Sequence, residues 1–223
     1  MSAFDAMDRD TLLRALAAFA KNWLAHDGCW FLAVEERLGL DTAIELDARA
    51  WGRFAEVEAR RLMKVFAIPP GGGLRALERA LSRRMYALVN EQHAEWSADS
   101  AHLRFVMDQC HVQEVRRRKG LRDFPCRPVG TVEFTTFART IDPRIATACL
   151  HCPPDARAGA ACAWEFTLAQ TAPRRSRRRA SELARSPARR RATFSRLSTA
   201  AASDEARARR AWSMPPARQP ALD

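Results

Sequence analysis

The sequence predicts an α+β domain: N-terminal helices packed on a small, mainly antiparallel sheet formed by the second half, followed by a basic tail. Three observations lead there. Apolar residues recur at three- and four-residue steps through residues 11–92, the period of helices with one buried face. At Leu103, Phe105 and Met107 the pattern changes to strict alternation, the period of a strand. From Ala172 onward apolar periodicity is lost and Arg, Ala, Ser and Pro dominate.

Taken in order, Thr11–His26 is read as the first helix, with Leu12, Leu16, Phe19 and Trp23 on one face and Asp8 and Asp10 at its cap and first turn. Asp27-Gly28 is expected to break it, and Trp30–Leu38 forms a second short helix closed by Gly39. Thr42-Ala43-Ile44-Glu45 fits a capping box, opening a long helix to Phe66. Pro69-Pro70 and Gly71–Gly73 make a loop. Helix is expected again from Leu74 to Gln92. Trp96 is placed on a strand that pairs with Leu103–Met107 through Ala98-Asp99-Ser100. Cys110–Lys119 and Thr131–Ile141 are short helices, ended by Gly120 and before Pro143. Ile145–Leu150 and Cys162–Leu168 read as a β-hairpin centred near Pro154-Asp155-Ala156, which sets Cys149 opposite Cys162.

Charge divides the chain. The formal net charge is +11, yet residues 172–223 hold 14 of the 37 basic residues and only 4 of the 26 acidic ones. Residues 1–171, read as a single domain, are therefore nearly neutral and give no electrostatic sign of a nucleic-acid partner. Residues 172–223 are expected to be disordered, because they cannot bury enough surface to offset ordering entropy. Nucleic acid is expected to bind, if anywhere, through that tail. The acidic start carries no export signal, and the run Cys29–Val34 is too short to cross a bilayer. A cytoplasmic, reducing location and no membrane partner follow as expectations, with the cysteines present as thiols or ligands.

The chemistry concentrates in "ACLHCPPD", Ala148–Asp155. One reading makes Cys126, Cys149, Cys152 and Cys162 ligands of zinc or an iron–sulfur cluster, since Cys-x-x-Cys is half of a thiolate site. Another makes one thiol a nucleophile. Cys110 stands at a helix N-terminus near Arg116, Arg117 and Arg118, and Cys126 lies between Arg122 and Arg127. His111 and His151 are then candidate bases, and Arg117 and Arg144 candidate clamps for a carboxylate. In a third reading the cysteines are small packed hydrophobes, and Cys29 is placed in this class. His93-Ala94-Glu95 with Cys149-x-x-Cys152 echoes zinc deaminases, but Ala148 stands where that motif has proline, and Pro153-Pro154 excludes the helix it needs. No phosphate-binding loop and no nucleophile elbow is present. Glu35, Glu36, Glu45, Glu56 and Glu58 are read as solvated or paired helix faces.

The strings "NWLAHDGCWFLAVEERLGLDTAIELDARAW", "QCHVQEVRRRKGLRDFPCRPVGTVEF" and "TIDPRIATACLHCPPD…CAWEFTL" resemble a family of uncharacterised bacterial and archaeal cytosolic proteins. That family is similar, more distantly, to the L-2-amino-thiazoline-4-carboxylic acid hydrolase-like group. The resemblance runs from Trp23 to Leu168 and includes Cys110, Arg117, Cys126, Arg144, Cys149, Cys152 and Cys162. It implies a hydrolase that opens a cyclic amidine bearing a carboxylate, with a thiol or activated water beside an Arg. Two functions are therefore carried forward. One is a cysteine-dependent hydrolase of a small carboxylate-bearing molecule, and the other a non-catalytic protein binding a metal or a small-molecule ligand around its cysteines.

Overall fold

In the computed structural model, which describes residues 2–155 and 159–169, helices and sheet follow the predicted order. The tail and its expected disorder lie outside the described residues. The elements are α1 (Arg9–Leu38), α2 (Leu40–Val65), α3 (Gly73–Leu81), a single 3-10 turn (Met85–Leu88), β1 (Glu91–Trp96), β2 (His102–Gln109), α4 (His111–Arg118), α5 (Cys126–Ile141), β3 (Ile145–His151) and β4 (Cys162–Leu168). The strands pair antiparallel throughout, in the order β1-β2-β4-β3. No described helix is long and apolar enough to cross a membrane.

Several local expectations change. Asp27-Gly28 does not break α1, which runs uninterrupted for 30 residues. A helical Gly costs about 1 kcal/mol against Ala, too little to stop a helix supported on both sides. Asp8 does cap it, accepting from Thr11 N at 2.8 Å. The apolar positions Leu12, Leu16 and Phe19 nevertheless face outward, and only Ala20 and Leu24 of α1 are buried. The predicted capping box is not used, because α2 begins at Leu40. Gly39, at φ +84°, donates to Glu35 O and accepts from Ala43 N, so one residue ends α1 and starts α2. Left-handed backbone of this kind favours glycine.

The helix expected to reach Gln92 stops at Leu81. The following turn carries Arg84 into the interior, and residues 91–96 join the sheet instead. Tertiary pairing overrides helix propensity there. Helix α5 starts five residues earlier than expected, since Pro128 falls in its first turn, where its missing N–H costs nothing. The turn between β1 and β2 is as predicted. The hairpin forms, but with its register displaced by two: Cys149 pairs with Trp164, and Cys162 with Met107 of β2. A bulge between Cys149 and His151 takes up the difference. A slip of two preserves the face, so Cys149, Cys162 and Trp164 share one side of the sheet.

That side packs on the helices. Leu103, Phe105 and Met107 of β2 with Cys162, Trp164 and Phe166 of β4 meet Phe134, Phe137 and Ile141 of α5 and Leu77 and Leu81 of α3 in one core. Each such side chain contributes about 1.5–3 kcal/mol by burial. A second cluster joins Ile44, Trp51, Phe124 and Val129, with Trp23 and Phe31 of α1 against it. The outer face is polar: His93 bonds Asp108 at 2.7 Å and Glu95 at 3.2 Å, in the open.

Candidate functional site

Between the two clusters lies a cavity of about 320 Å³. Its floor is the inner sheet face, at Gln92, Phe105, Met107, Cys162 and Trp164. The walls are Leu24, Asp27, Gly28 and Phe31 of α1, Asp47 and Trp51 of α2, Val112 and Val115 of α4, and Cys126, Val129, Glu133 and Phe134 of α5. Arg84 and Tyr86 also line it. Two glycines help shape this space. Gly28 has no atom within 4 Å of where a Cβ would stand, whereas Gly130 lets the Trp164 ring approach so closely that a Cβ would lie 2.6 Å from it. Trp51 and Tyr86 stack with ring centroids 5.7 Å apart, and Trp23 meets both edge-on at 5.9 Å.

A buried charge triad sits beside the aromatics. Arg84, 2 % exposed, lies 2.8 Å from Glu58 and 2.7 Å from Glu133. Its Nε donates to Glu58 at 3.0 Å, while its Nη2 makes close ionic contacts that are not aligned hydrogen bonds. Burial alone would lower this guanidinium, but Glu133 and Glu58 hold it above its usual range. Burial likewise raises the Glu133 carboxyl against the pull of Arg84, and raises the Tyr86 phenol. Asp27 is raised by burial. Asp47 is pushed up to about 7, first by burial and then by the charges of Asp27 and Glu133.

The expected site residues divide between two places. Cys110, His111, Cys126 and Cys162 line the apolar cavity. Cys110, Arg117 and His151 also line a second, polar depression of about 260 Å³ with Asp123 and Asp155. Cys152 is buried within the main core, and Cys149, partly buried, packs against it. Arg144 lies at neither: its guanidinium bonds Asp142 at 2.7 Å and the Gly71 carbonyl at 3.1 Å. Asp142, fully buried, also accepts from Gly73 N at 3.0 Å, so this pair ties the start of β3 to α3. Arg117 pairs with Asp123 at 3.0 Å, and His151 Nε2 lies 3.1 Å from the Ala160 carbonyl. Helix charges are mostly paired as expected: Glu35 with the buried Arg116, Glu45 with Arg49, Glu56 with Arg60 and Glu58 with Arg84.

The thiols are free and, for the most part, withdrawn from water. Cys29 is exposed, contrary to the packed position expected for it, because the uninterrupted α1 turns it outward. At Cys110 the helix start does favour thiolate through the Gln113 and Val112 amides, but burial outweighs this and raises the thiol. Burial also raises Cys126 strongly, and Cys152 and Cys162 to about 12. Cys149 is raised too, with Cys152 and Arg127 opposing. Among the described residues no group of three or more His, Cys, Asp or Glu side chains is placed to hold a metal ion. The set Cys126, Cys149, Cys152 and Cys162 has donors suited to zinc or an iron–sulfur cluster, but the described residues do not place it as a metal-binding group. Asp27, Asp47, Arg84 and Glu133 were not singled out by sequence pattern. Their one signal is ionisable residues recurring among the aromatics of apolar helices.

Among solved structures, the chain is similar to the phenol-responsive sensory domain of the transcription activator PoxR, determined with phenol. The two share 14 % identity and a TM-score of 0.44, over 65 % of this chain and 73 % of the other. It is also similar to a trafficking protein particle complex subunit 3 from Naegleria fowleri covalently bound to palmitic acid. There the identity is 8 % and the TM-score 0.42, over 74 % of this chain and 99 % of the other. Likenesses this distant carry no functional weight. No curated protein matches the sequence. The model of one family, described as a family of unknown function (DUF6125), matches residues 5–168, and the chain belongs to that family.

Proposed function

We propose that this protein binds a small, largely apolar molecule in the cavity between α1, α2, α4, α5 and the sheet, without covalent chemistry. The observation that carries the reading is the cavity itself: about 320 Å³, lined by Trp51, Phe105, Phe134 and Trp164, with polar groups such as Asp27, Asp47 and Gln92 among them. Apolar volume with sparse, convergent polar groups is the usual form of a ligand site. A cavity of about 150 Å³ accepts benzene, so this one accommodates a molecule about twice that size.

The hydrolase reading draws on Cys110, His151 and Arg117, which share the polar depression, and on the resemblance to the L-2-amino-thiazoline-4-carboxylic acid hydrolase-like group. Binding is favoured over it for two reasons. A nucleophilic thiol needs a depressed pKa, whereas burial holds Cys110 and Cys126 up. A carboxylate clamp needs a free guanidinium, whereas Arg117 and Arg144 are engaged by Asp123 and Asp142.

The test is displacement of an environment-sensitive apolar dye from the full-length chain, compared with Gly28→Phe, which places a ring in the open space beside α1. Saturable dye binding at one site, lost in the variant at unchanged melting temperature, supports the proposal. Equal binding by both proteins overturns it, because the dye would then sit elsewhere.

A further inference from the structure

We infer that the ligand carries a positive charge, an ammonium or comparable donor-rich cation on an apolar body, seated against Asp27 and Asp47 of the cavity lining. The inference rests on the cavity being a binding site and adds the chemistry of what fills it.

The polar groups of the cavity are unbalanced. Asp27 of α1 and Asp47 of α2 both line it, and both are half-buried. Among the described residues neither carboxylate forms an ion pair with an Arg or Lys. Of the cationic groups in the same lining, two are committed to carboxylates and one is exposed. Arg84 is held by Glu58 and Glu133, Arg116 is held by Glu35, and Lys119 is exposed beyond the end of α4. Asp27 and Asp47 are thus left in the lining without a paired cation, while Arg84 is shared between Glu58 and Glu133.

A second observation is independent of the carboxylates. Gln92 Oε1 is buried with no donor, although its Nε2 reaches the Leu81 carbonyl. An acceptor left unpaired in the interior costs about 1–3 kcal/mol, which a donor-bearing ligand would recover. Trp164, 1 % exposed, lines the same cavity and leaves its buried donor Nε1 unpaired. The ligand is therefore expected to offer an acceptor near Trp164 as well as its cationic group.

Without ligand, the crowding of Asp47 by burial, Asp27 and Glu133 keeps it partly protonated near neutrality. A cation favours the ionised form. Binding then releases a proton, and affinity rises with pH through about 7 before levelling. Arg84 and Tyr86 stay in one protonation state over that window, each held above its usual range.

Calorimetry with three isosteric probes tests this: 3-phenylpropylamine, 3-phenylpropan-1-ol and 3-phenylpropanoate. At pH 8 the amine is expected to bind at least about tenfold more tightly than the alcohol, and the acid more weakly than either. A factor of ten is about 1.4 kcal/mol, within reach of one partly buried ion pair. Asp47→Asn should bring amine and alcohol within about threefold of one another while leaving the alcohol unchanged. Asp27→Asn serves the same purpose should Asp47→Asn not fold. From pH 6 to 8 the amine should tighten and the alcohol stay flat. Alcohol binding as tightly as amine, with no pH dependence, overturns the charge assignment and leaves the binding reading intact. If none of the three probes binds and Gly28→Phe also leaves dye binding unchanged, the binding reading itself fails.

Discussion

Arg84→Met is the most informative single substitution, because it removes the one cation between two buried carboxylates and little volume. Arg84 lies 2.8 Å from Glu58 and 2.7 Å from Glu133, and all three side chains are nearly sealed from water. Breaking a buried ion pair from one side typically costs about 3–5 kcal/mol, since a charge is left without compensation. For a folded body of this size that corresponds to a fall in melting temperature of roughly 6–20 °C. The loss has a definite pH dependence. In the variant the two carboxyls lack their counter-ion, so their folded pKa values lie above the unfolded ones. The variant therefore approaches wild-type stability below about pH 4.3 and loses ground as pH rises through the raised values. Adding Glu58→Gln and Glu133→Gln to Arg84→Met should recover most of the loss at pH 7. Thermal unfolding of the three proteins at pH 4 and pH 7 is the assay. A cost below about 1 kcal/mol at pH 7, the range of an exposed pair, would falsify the triad as a buried electrostatic unit.

Three further outcomes are expected. Gly130→Ala sets a Cβ 2.6 Å and 2.9 Å from the Trp164 ring; overpacking of about 1–3 kcal/mol, less about 1 kcal/mol of helix propensity, leaves a net loss readable by thermal melting, and a gain would show that the ring yields. Asp142→Ala strands Gly73 N–H and the Arg144 guanidinium and should cost about 2–4 kcal/mol; a near-neutral result in denaturant unfolding would mean that α3 is anchored otherwise. At pH 7 Cys152 and Cys162, with pKa values near 12, should alkylate about 1,000-fold more slowly than a free thiol, Cys29 reacting first, and folding stability should fall as pH rises above about 8.5, where the unfolded thiols ionise and the folded ones do not. One equivalent of zinc in the purified chain, released by Cys149→Ser, would instead show that these sulfurs are ligands.

What could be read from the sequence follows the range of the forces involved. Alternation at Leu103, Phe105 and Met107 located β2, because strand patterning is local and one face is buried. The hairpin was legible too, but not its register, which depends on a bulge at Leu150 that no pattern announces. Asp27-Gly28 was taken for a break since glycine is a weak helix former, yet the helix continues across it and the glycine leaves space instead. The end of α3 was missed because a non-local partner, the sheet edge, competes with helix propensity at Glu91–Trp96. The triad was invisible for the same reason. Glu58, Arg84 and Glu133 belong to three separate elements and each resembles an ordinary helix charge.

The triad also bears on what the cavity is for. Hydrophobic side chains of similar volume at Glu58, Arg84 and Glu133 would fill the same space, and such replacements are often neutral or stabilising by about 1–4 kcal/mol. Stability alone therefore does not account for charges at this position. Nor does solvation, since Arg84 and Glu58 are almost wholly withdrawn from water. Their effect on the neighbourhood is electrostatic: Glu133, itself pulled down by Arg84, adds its field to that of Asp27 and pushes the Asp47 carboxyl up. On the proposed reading, the acceptors that Asp27, Asp47 and Gln92 bring to this apolar lining are what a donor-rich ligand would pair with, a use that packing alone does not give them.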